Sequence, residues 1–281
     1  MPALPPSDVV EFYDTHPINE DEILAKLVAA GVDLEHLTED DLKDFDQDHY
    51  GGIEVVEVLA ERAGIRRHHH VLDVCSGMGG PARWLAHRIG CRVTGLDITA
   101  SRVEAAQRLS QRVHLDHLVD FVHGDATAMP LPEASYDVVI SQEAWLHIPA
   151  KPGVVAECTR VVKPGGIIAF TDVILRAPLG PEAESRMASE MQAPGVSSID
   201  HYLELLRANQ CRVTSWEDLS TEWTDVLVNR LEMFRTLRDT TVAKFGEAHF
   251  ERWDRTYDFY VGLFVAGKLG GVRIVAQREG T

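Results

Sequence analysis

Three carboxylates stand near the ends of three short apolar runs. Asp73 lies within Val71–Val74, Asp97 near the end of Cys91–Ile98, and Asp125 near the end of Phe121–Ala126. Between the first two lies Cys75-Ser76-Gly77-Met78-Gly79-Gly80-Pro81. Glycine has no Cβ, so the backbone at Gly77 and Gly79 can take positive φ and approach a ligand closely. From Pro81 onward Trp84, Leu85 and Ile89 recur at helical spacing, and the free N–H groups of that helix start point at the turn. A strand, a tight glycine turn and a helix start together make a nucleoside-cofactor pocket. Two cofactor classes fit this stretch. Gly77-x-Gly79-x-x-Ala82 satisfies the dinucleotide fingerprint, and Asp97 lies 18 residues past Gly79. Asp73 favours the other class: it sits inside the strand, where a carboxylate is costly to bury without something to hold.

A second group of chemical side chains follows the run Ser135–Ser141. It reads Gln142-Glu143-Ala144-Trp145-Leu146-His147. Ligands of open α/β sheets sit beyond the carboxyl ends of the strands. An amide, a carboxylate, an indole and an imidazole therefore emerge where a ligand would lie. Glu143 and His147 are spaced i, i+4 and can share one face of a short turn.

The elements that must position these groups alternate strand and helix, the pattern of an α/β fold. Strands are expected at 71–74, 91–98, 121–126, 135–141, 167–172, 212–216 and 270–277. Helices are expected over 8–30 in two pieces, with His16-Pro17 ending the first and Asn19 capping the second. A short helix capped by Thr38, with Asp41 three residues on, follows. Further helices are expected over 99–112, 152–162, 198–209 and, as a long pair, 222–268. Lys163-Pro164-Gly165-Gly166 reads as a turn, and residues 177–197 as a mobile crossover over the pocket. The aromatic residues of 222–268 read first as helix-packing core and otherwise as a substrate wall.

Composition bounds the function. The chain has 281 residues and a formal net charge of −17. Residues 1–50 hold fourteen acids against Lys26 and Lys43. Such a segment is repelled by phosphate backbones and anionic lipids, so neither nucleic acid nor membrane is an expected partner. No apolar run is long enough to span a bilayer and no signal peptide is legible, which points to a cytoplasmic protein. Cys75, Cys91, Cys158 and Cys211 show no C-x-x-C pair and read as reduced thiols. Asp44, Asp46 and Asp48 imitate a calcium loop, but His49 and Val55 occupy the positions of its glycine and glutamate. Consecutive His68, His69 and His70 diverge and chelate poorly, so no metal is expected.

The glycine stretch with Asp73 resembles the D-x-G-x-G-x-G motif of class I S-adenosylmethionine (SAM) methyltransferases, with Cys75 in place of its first glycine. Further carrying stretches are Asp46–Gly52, Gly95–Thr99, Gly124–Met129, Ser141–His147 and Lys163–Asp172. Together they are similar to the sarcosine/dimethylglycine N-methyltransferase group, related to phosphoethanolamine methyltransferases. The resemblance implies a seven-stranded Rossmann-like class I methyltransferase sheet with an N-terminal helical cap and a C-terminal helical insertion. It divides the chain into a cap or lid (1–50), a SAM-binding core (51–172) and substrate-side helices that bring the last two strands (173–281). It implies that Asp73, Gly77, Gly79, Asp97, Ile98, Asp125, Ala126 and Gln142 hold SAM, leaving S-adenosylhomocysteine as product. Three strand-end carboxylates suit hydroxyls, an amino group and a sulfonium, and suit a pyrophosphate badly.

His147 is then the candidate to hold or deprotonate the acceptor, with His49 second; an imidazole titrates near pH 6.5 and can take such a proton. Glu143, Tyr50 and Trp145 are the candidate substrate contacts. The expected acceptor is a small molecule, first an amine of the glycine, sarcosine or dimethylglycine kind. An O- or C-methyl transfer to a larger aromatic or enol acceptor is the alternative, and a non-catalytic SAM- or nucleotide-binding module the third. A monomer or a homodimer fits equally.

Overall fold

The computed structural model describes residues 6–14, 19–47 and 49–280. The His16-Pro17 helix stop and Asp48 lie outside them. In the N-terminal cap, α1 (Pro6–Asp14) is followed by α2 (Glu20–Ala29) and α3 (Glu39–Leu42). Asn19 caps α2 by accepting from the Glu22 N–H, and Thr38 and Asp41 form a reciprocal capping box on α3. Then α4 (Ile53–Arg62) leads into β1 (His70–Val74), α5 (Gly80–Ile89), β2 (Arg92–Asp97), α6 (Ala100–Arg112), β3 (Val119–His123) and β4 (Tyr136–Gln142). The chain continues through α7 (Lys151–Val161), β5 (Val162–Leu175), α8 (Pro181–Glu190), the two-residue β6 (Ser197–Ser198), α9 (Ile199–Ala208) and β7 (Cys211–Asp218). It ends with α10 (Ser220–Thr236), α11 (Arg238–Phe245), α12 (Glu247–Val265) and β8 (Leu269–Arg278).

The strands form one sheet in the order β3-β2-β1-β4-β5-β8-β7, with β6 beside β5. The pairs among β1 to β5 are parallel, and β8 runs antiparallel between β5 and β7. The expected seven strands are all present, and β6 is an eighth. Val71, Leu72 and Val74 are wholly buried, as a parallel strand covered on both faces requires. The order reverses between β1 and β4, which opens a crevice at their carboxyl ends. Val74 pairs with Leu96, so Cys75 and Asp97 leave the sheet side by side.

Three local expectations change. Lys163–Gly166 is no free turn: β5 starts at Val162, and the segment bulges where Tyr136 pairs with Val162 but Val138 with Ile167. Gly165 takes φ +78 to allow it. Residues 177–197 carry the ten-residue helix α8. The long helical pair is three helices, broken at Leu237 and at Gly246, whose φ of +88 no helix admits.

Candidate active site

A pocket of about 520 Å³ opens beyond the carboxyl ends of β1, β2 and β4, a size typical of small-molecule sites. Of the residues singled out in the sequence, Asp73, Gly77, Asp97, Ile98, Asp125, Ala126, Gln142, Glu143, His147, His49 and Tyr50 line it. Gly79 and Trp145 do not.

On one side the walls are acceptors in waiting. Asp73 is 3% exposed, and its carboxyl is pushed up to about 8, first by burial and then by the charge of Asp97. Its Oδ2 has no hydrogen-bond partner, nor have Ser76 Oγ and either amide atom of Gln142. Buried polar atoms are rarely left so, and these three side chains share one pocket. Asp97 is held by the backbone: Oδ2 accepts from the Gly77 N–H and Oδ1 from the Thr99 N–H, both at 2.8 Å. Burial raises its carboxyl against those two bonds. Asp125 spends a single oxygen on Thr127, accepting from its N–H at 2.7 Å and its hydroxyl at 2.8 Å.

Gly79 serves packing. Its φ of +77 starts α5, and a Cβ there would lie 2.3 Å from Phe121 Cζ. Two residues that do have side chains take the left-handed conformation at the pocket: Cys75 at φ +62 and Glu143 at φ +51. Each is the first residue after its strand, β1 and β4 respectively. Such strain persists where the surrounding structure holds it, and it gathers at functional sites.

On the other side stands His147, in a 3-10 turn over Trp145–His147. Its Nδ1 lies 2.6 Å from the Gln192 carbonyl, which can only accept, so Nδ1 carries a proton. Nε2 lies 2.9 Å from the Tyr13 hydroxyl and accepts from it when the ring is neutral. Glu143 accepts the Tyr50 N–H on Oε2 and the Thr171 hydroxyl, 3.3 Å away, on Oε1. Burial pushes its carboxyl up to about 8. The Tyr50 and Tyr260 hydroxyls meet at 2.9 Å. His49 donates from Nε2 to Gln47 Oε1 at 2.8 Å, and its carbonyl accepts from Arg230 at 2.8 Å.

Trp145 is core, not substrate wall. It is 1% exposed, stacked on Phe170 with centroids 4.2 Å apart, and edges Tyr202. The side chains that do wall the pocket beside His147 include Phe12, Tyr13, Met191, Arg230, Trp253 and Tyr257. Trp253 and Tyr257 lie one turn apart on α12, within the aromatic stretch read as helix-packing core or else a substrate wall. Phe12 and Tyr13 carried no signal beyond the end of a helix.

A family profile described as "Methyltransferase domain" matches residues 72–170, the segment from β1 into β5. The chain is 32% identical over 196 residues to 27-O-demethylrifamycin SV methyltransferase of Amycolatopsis mediterranei, covering 69% of this chain and 72% of that protein. The chain belongs to the SAM-dependent methyltransferases. This methyltransferase is also 41% identical over 117 residues to sterol 24-C-methyltransferase of Eremothecium gossypii, an alignment covering 42% of this chain and only 31% of that protein. Its fold matches a putative sarcosine dimethylglycine methyltransferase from Galdieria sulphuraria with a TM-score of 0.75 at 19% identity, covering 93% and 99% of the two chains. The methyltransferase is an enzyme with SAM as cofactor, and the open polar atoms of Asp73, Ser76 and Gln142 fit such a ligand. Among the described residues no helix is long and apolar enough to cross a membrane.

Proposed function

We propose that this enzyme methylates a hydroxyl oxygen on a large, mostly apolar acceptor. The observation that carries the reading is the hydroxyl already bound to His147. Nε2 accepts from a phenol at 2.9 Å, while the Gln192 carbonyl keeps the proton on Nδ1. A ring held this way presents a lone pair to an O–H and takes its proton as the oxygen becomes a nucleophile. The rings of Phe12, Trp253, Tyr257 and Tyr260 around it give an apolar acceptor area to bury and keep water out. In this reading Asp73, Gly77, Asp97, Ile98, Asp125, Ala126 and Gln142 hold SAM, with Asp97 on the ribose hydroxyls. When bound, SAM supplies an activated methyl group on a sulfonium.

An amine acceptor is the second reading, and Glu143 favours it. A buried carboxyl beside the rings of Tyr50 and Tyr260 would welcome an ammonium group. His49, whose Nε2–H is engaged by Gln47, lines the same pocket and stays the second candidate base in either reading.

Methyl-labelled SAM offered with macrocyclic and phenolic alcohols, and in parallel with glycine and sarcosine, separates the two. Label on an alcohol oxygen is the expected result; label on glycine or sarcosine alone overturns it. His147→Ala is expected to lower turnover about 10²- to 10⁴-fold while calorimetry finds SAM affinity unchanged.

A further inference from the structure

The turn that carries His147 is gripped by side chains that never reach the pocket. Lys151 is 1% exposed, and Asp172 and Tyr202 are not exposed at all. Asp172 Oδ1 accepts from the Leu146 N–H at 3.1 Å. The Lys151 ammonium donates to the Ile148 carbonyl at 2.7 Å and to the Trp145 carbonyl. The backbone is thus held at the residue before His147 and at the residue after it. The Tyr202 hydroxyl donates to the other oxygen of Asp172. From the opposite side the Gly195 N–H donates to the Leu146 carbonyl at 2.8 Å, and a Cβ on Gly195 would strike the Ile148 carbonyl at 2.4 Å.

Neither charge belongs there on grounds of stability. Burying an ammonium and a carboxylate costs more than two well-packed apolar side chains of similar volume would. Lys151 is also the first residue of α7, the end of a helix where a cation is disfavoured. None of the three touches the pocket, so direct acceptor or cofactor contact does not explain them. What they share is the turn.

We propose that Lys151 and Asp172 are positioning residues: by holding the backbone on both sides of His147 they fix its imidazole in register with the reacting groups. Tyr202 orients Asp172 in turn. Burial pushes the Lys151 ammonium down to about 8 and the Asp172 carboxyl up, and the opposite charge of each works against that drift. The proposal rests on the reading of His147 as base for its effect on turnover, but not for its effect on the ring itself.

The test is Lys151→Met, Asp172→Asn, Asp172→Ala and Tyr202→Phe in the full chain. Nitrogen-15 spectra of the His147 ring need no acceptor. The parent enzyme is expected to show one Nδ1–H tautomer with a slowly exchanging proton. Lys151→Met and Asp172→Ala are expected to average the two tautomers and to lower turnover about hundredfold, the scale of an ångström of misplacement. SAM affinity is expected to stay unchanged. Asp172→Asn, whose amide oxygen still accepts the Leu146 N–H, is expected to restore the ring signal and most of the turnover. Unchanged ring spectra in Lys151→Met and Asp172→Ala overturn the proposal, and so does a loss of SAM affinity that tracks the loss of turnover. If those variants fail to fold, Tyr202→Phe decides on the same ring signal: a partial loss of tautomer purity supports the clamp, and an unchanged spectrum overturns it. A ring that loosens without any fall in turnover leaves the clamp standing and removes His147 as base.

Discussion

The Tyr13 hydroxyl lies 2.9 Å from His147 Nε2, joining the N-terminal helix to the turn after β4 across 134 residues of sequence. The cap that carries Tyr13 is held by its own acidity. Glu20 pairs with Arg108 of α6 at 2.7 Å, Glu22 with Lys244 of α11 at 2.7 Å, and Asp14 accepts from Ser101 at 2.5 Å. The excess of acids in this segment partly serves as docking contact. Exposed pairs of this kind each contribute little and are screened by salt.

Nε2 of a neutral imidazole has one lone pair. In the proposed reading an acceptor hydroxyl competes with Tyr13 for it and displaces the phenol. Tyr13→Phe removes the competitor and keeps the ring. The acceptor KM is expected to fall about two- to tenfold, the value of one hydrogen bond of ~0.5–1.5 kcal/mol, with kcat little changed. A rise in KM in steady-state kinetics would instead make Tyr13 a holder of the acceptor.

The strand ends were legible because burial makes a carboxylate conspicuous. Asp73, Asp97 and Asp125 each interrupt an apolar run, and all three reach the pocket. Gly79 was conspicuous for the same kind of reason, and a constraint the sequence did not show is the Phe121 ring packed against it. Trp145 was misplaced because a three-residue 3-10 turn has no long period from which to read a face. Its first residue stacks on Phe170 of the interior strand β5, and its third lines the pocket. Tyr13 and Arg230 escaped because their partners lie far away in sequence. Arg230, for instance, meets the His49 carbonyl across 181 residues. No local pattern encodes such a meeting.

Cys75 stands where the family motif has glycine, and its φ of +62 shows why glycine suits that place. A left-handed L-residue costs ~1–2 kcal/mol, while glycine costs ~0.5–1 kcal/mol in lost chain entropy. Cys75→Gly is therefore expected to change stability by no more than about 1 kcal/mol, in the stabilising direction if at all. Cys75→Val, β-branched at positive φ, is expected to destabilise by about 2 kcal/mol. Urea unfolding of the two variants measures the contrast, and a more stable valine variant would sink the account.

Arg83 is wholly buried on α5 between two acids of the cap. It meets Asp46 directly and Glu39 at 3.4 Å, and it donates to the Met78 carbonyl at 2.7 Å. Burial pushes Glu39 up to about 8 even with the guanidinium present, and raises Asp46 as well. Arg83→Met strands both carboxyls and is expected to cost about 3–5 kcal/mol. The loss should be larger at pH 9 than at pH 7: with the cation present Glu39 releases its proton at about 8, and without it the folded chain must keep that proton to higher pH while the unfolded chain has long released it. Urea unfolding at the two pH values checks this; equal losses would mean that the acids are not titrating.

Asp73 gives the cofactor site a pH dependence of its own. Its carboxyl titrates at about 8 in the folded protein against 3.8 ordinarily, because it is buried and faces Asp97. The folded chain thus binds a proton that the unfolded chain has lost. The stability this contributes is complete below pH 3.8 and is lost as pH rises toward 8. In the proposed reading Asp73 holds SAM; its sulfonium or ammonium then favours the carboxylate, and binding expels that proton. Affinity is expected to rise by up to about tenfold per pH unit between pH 6 and 8, then level off. Calorimetry at pH 7 in two buffers of different ionisation enthalpy should show close to one proton released per SAM bound. Asp73→Asn should bind more weakly, with neither the slope nor the buffer dependence. A parent enzyme whose binding heat is the same in both buffers would mean that Asp73 is already ionised before the cofactor arrives, and that burial is not what sets its charge.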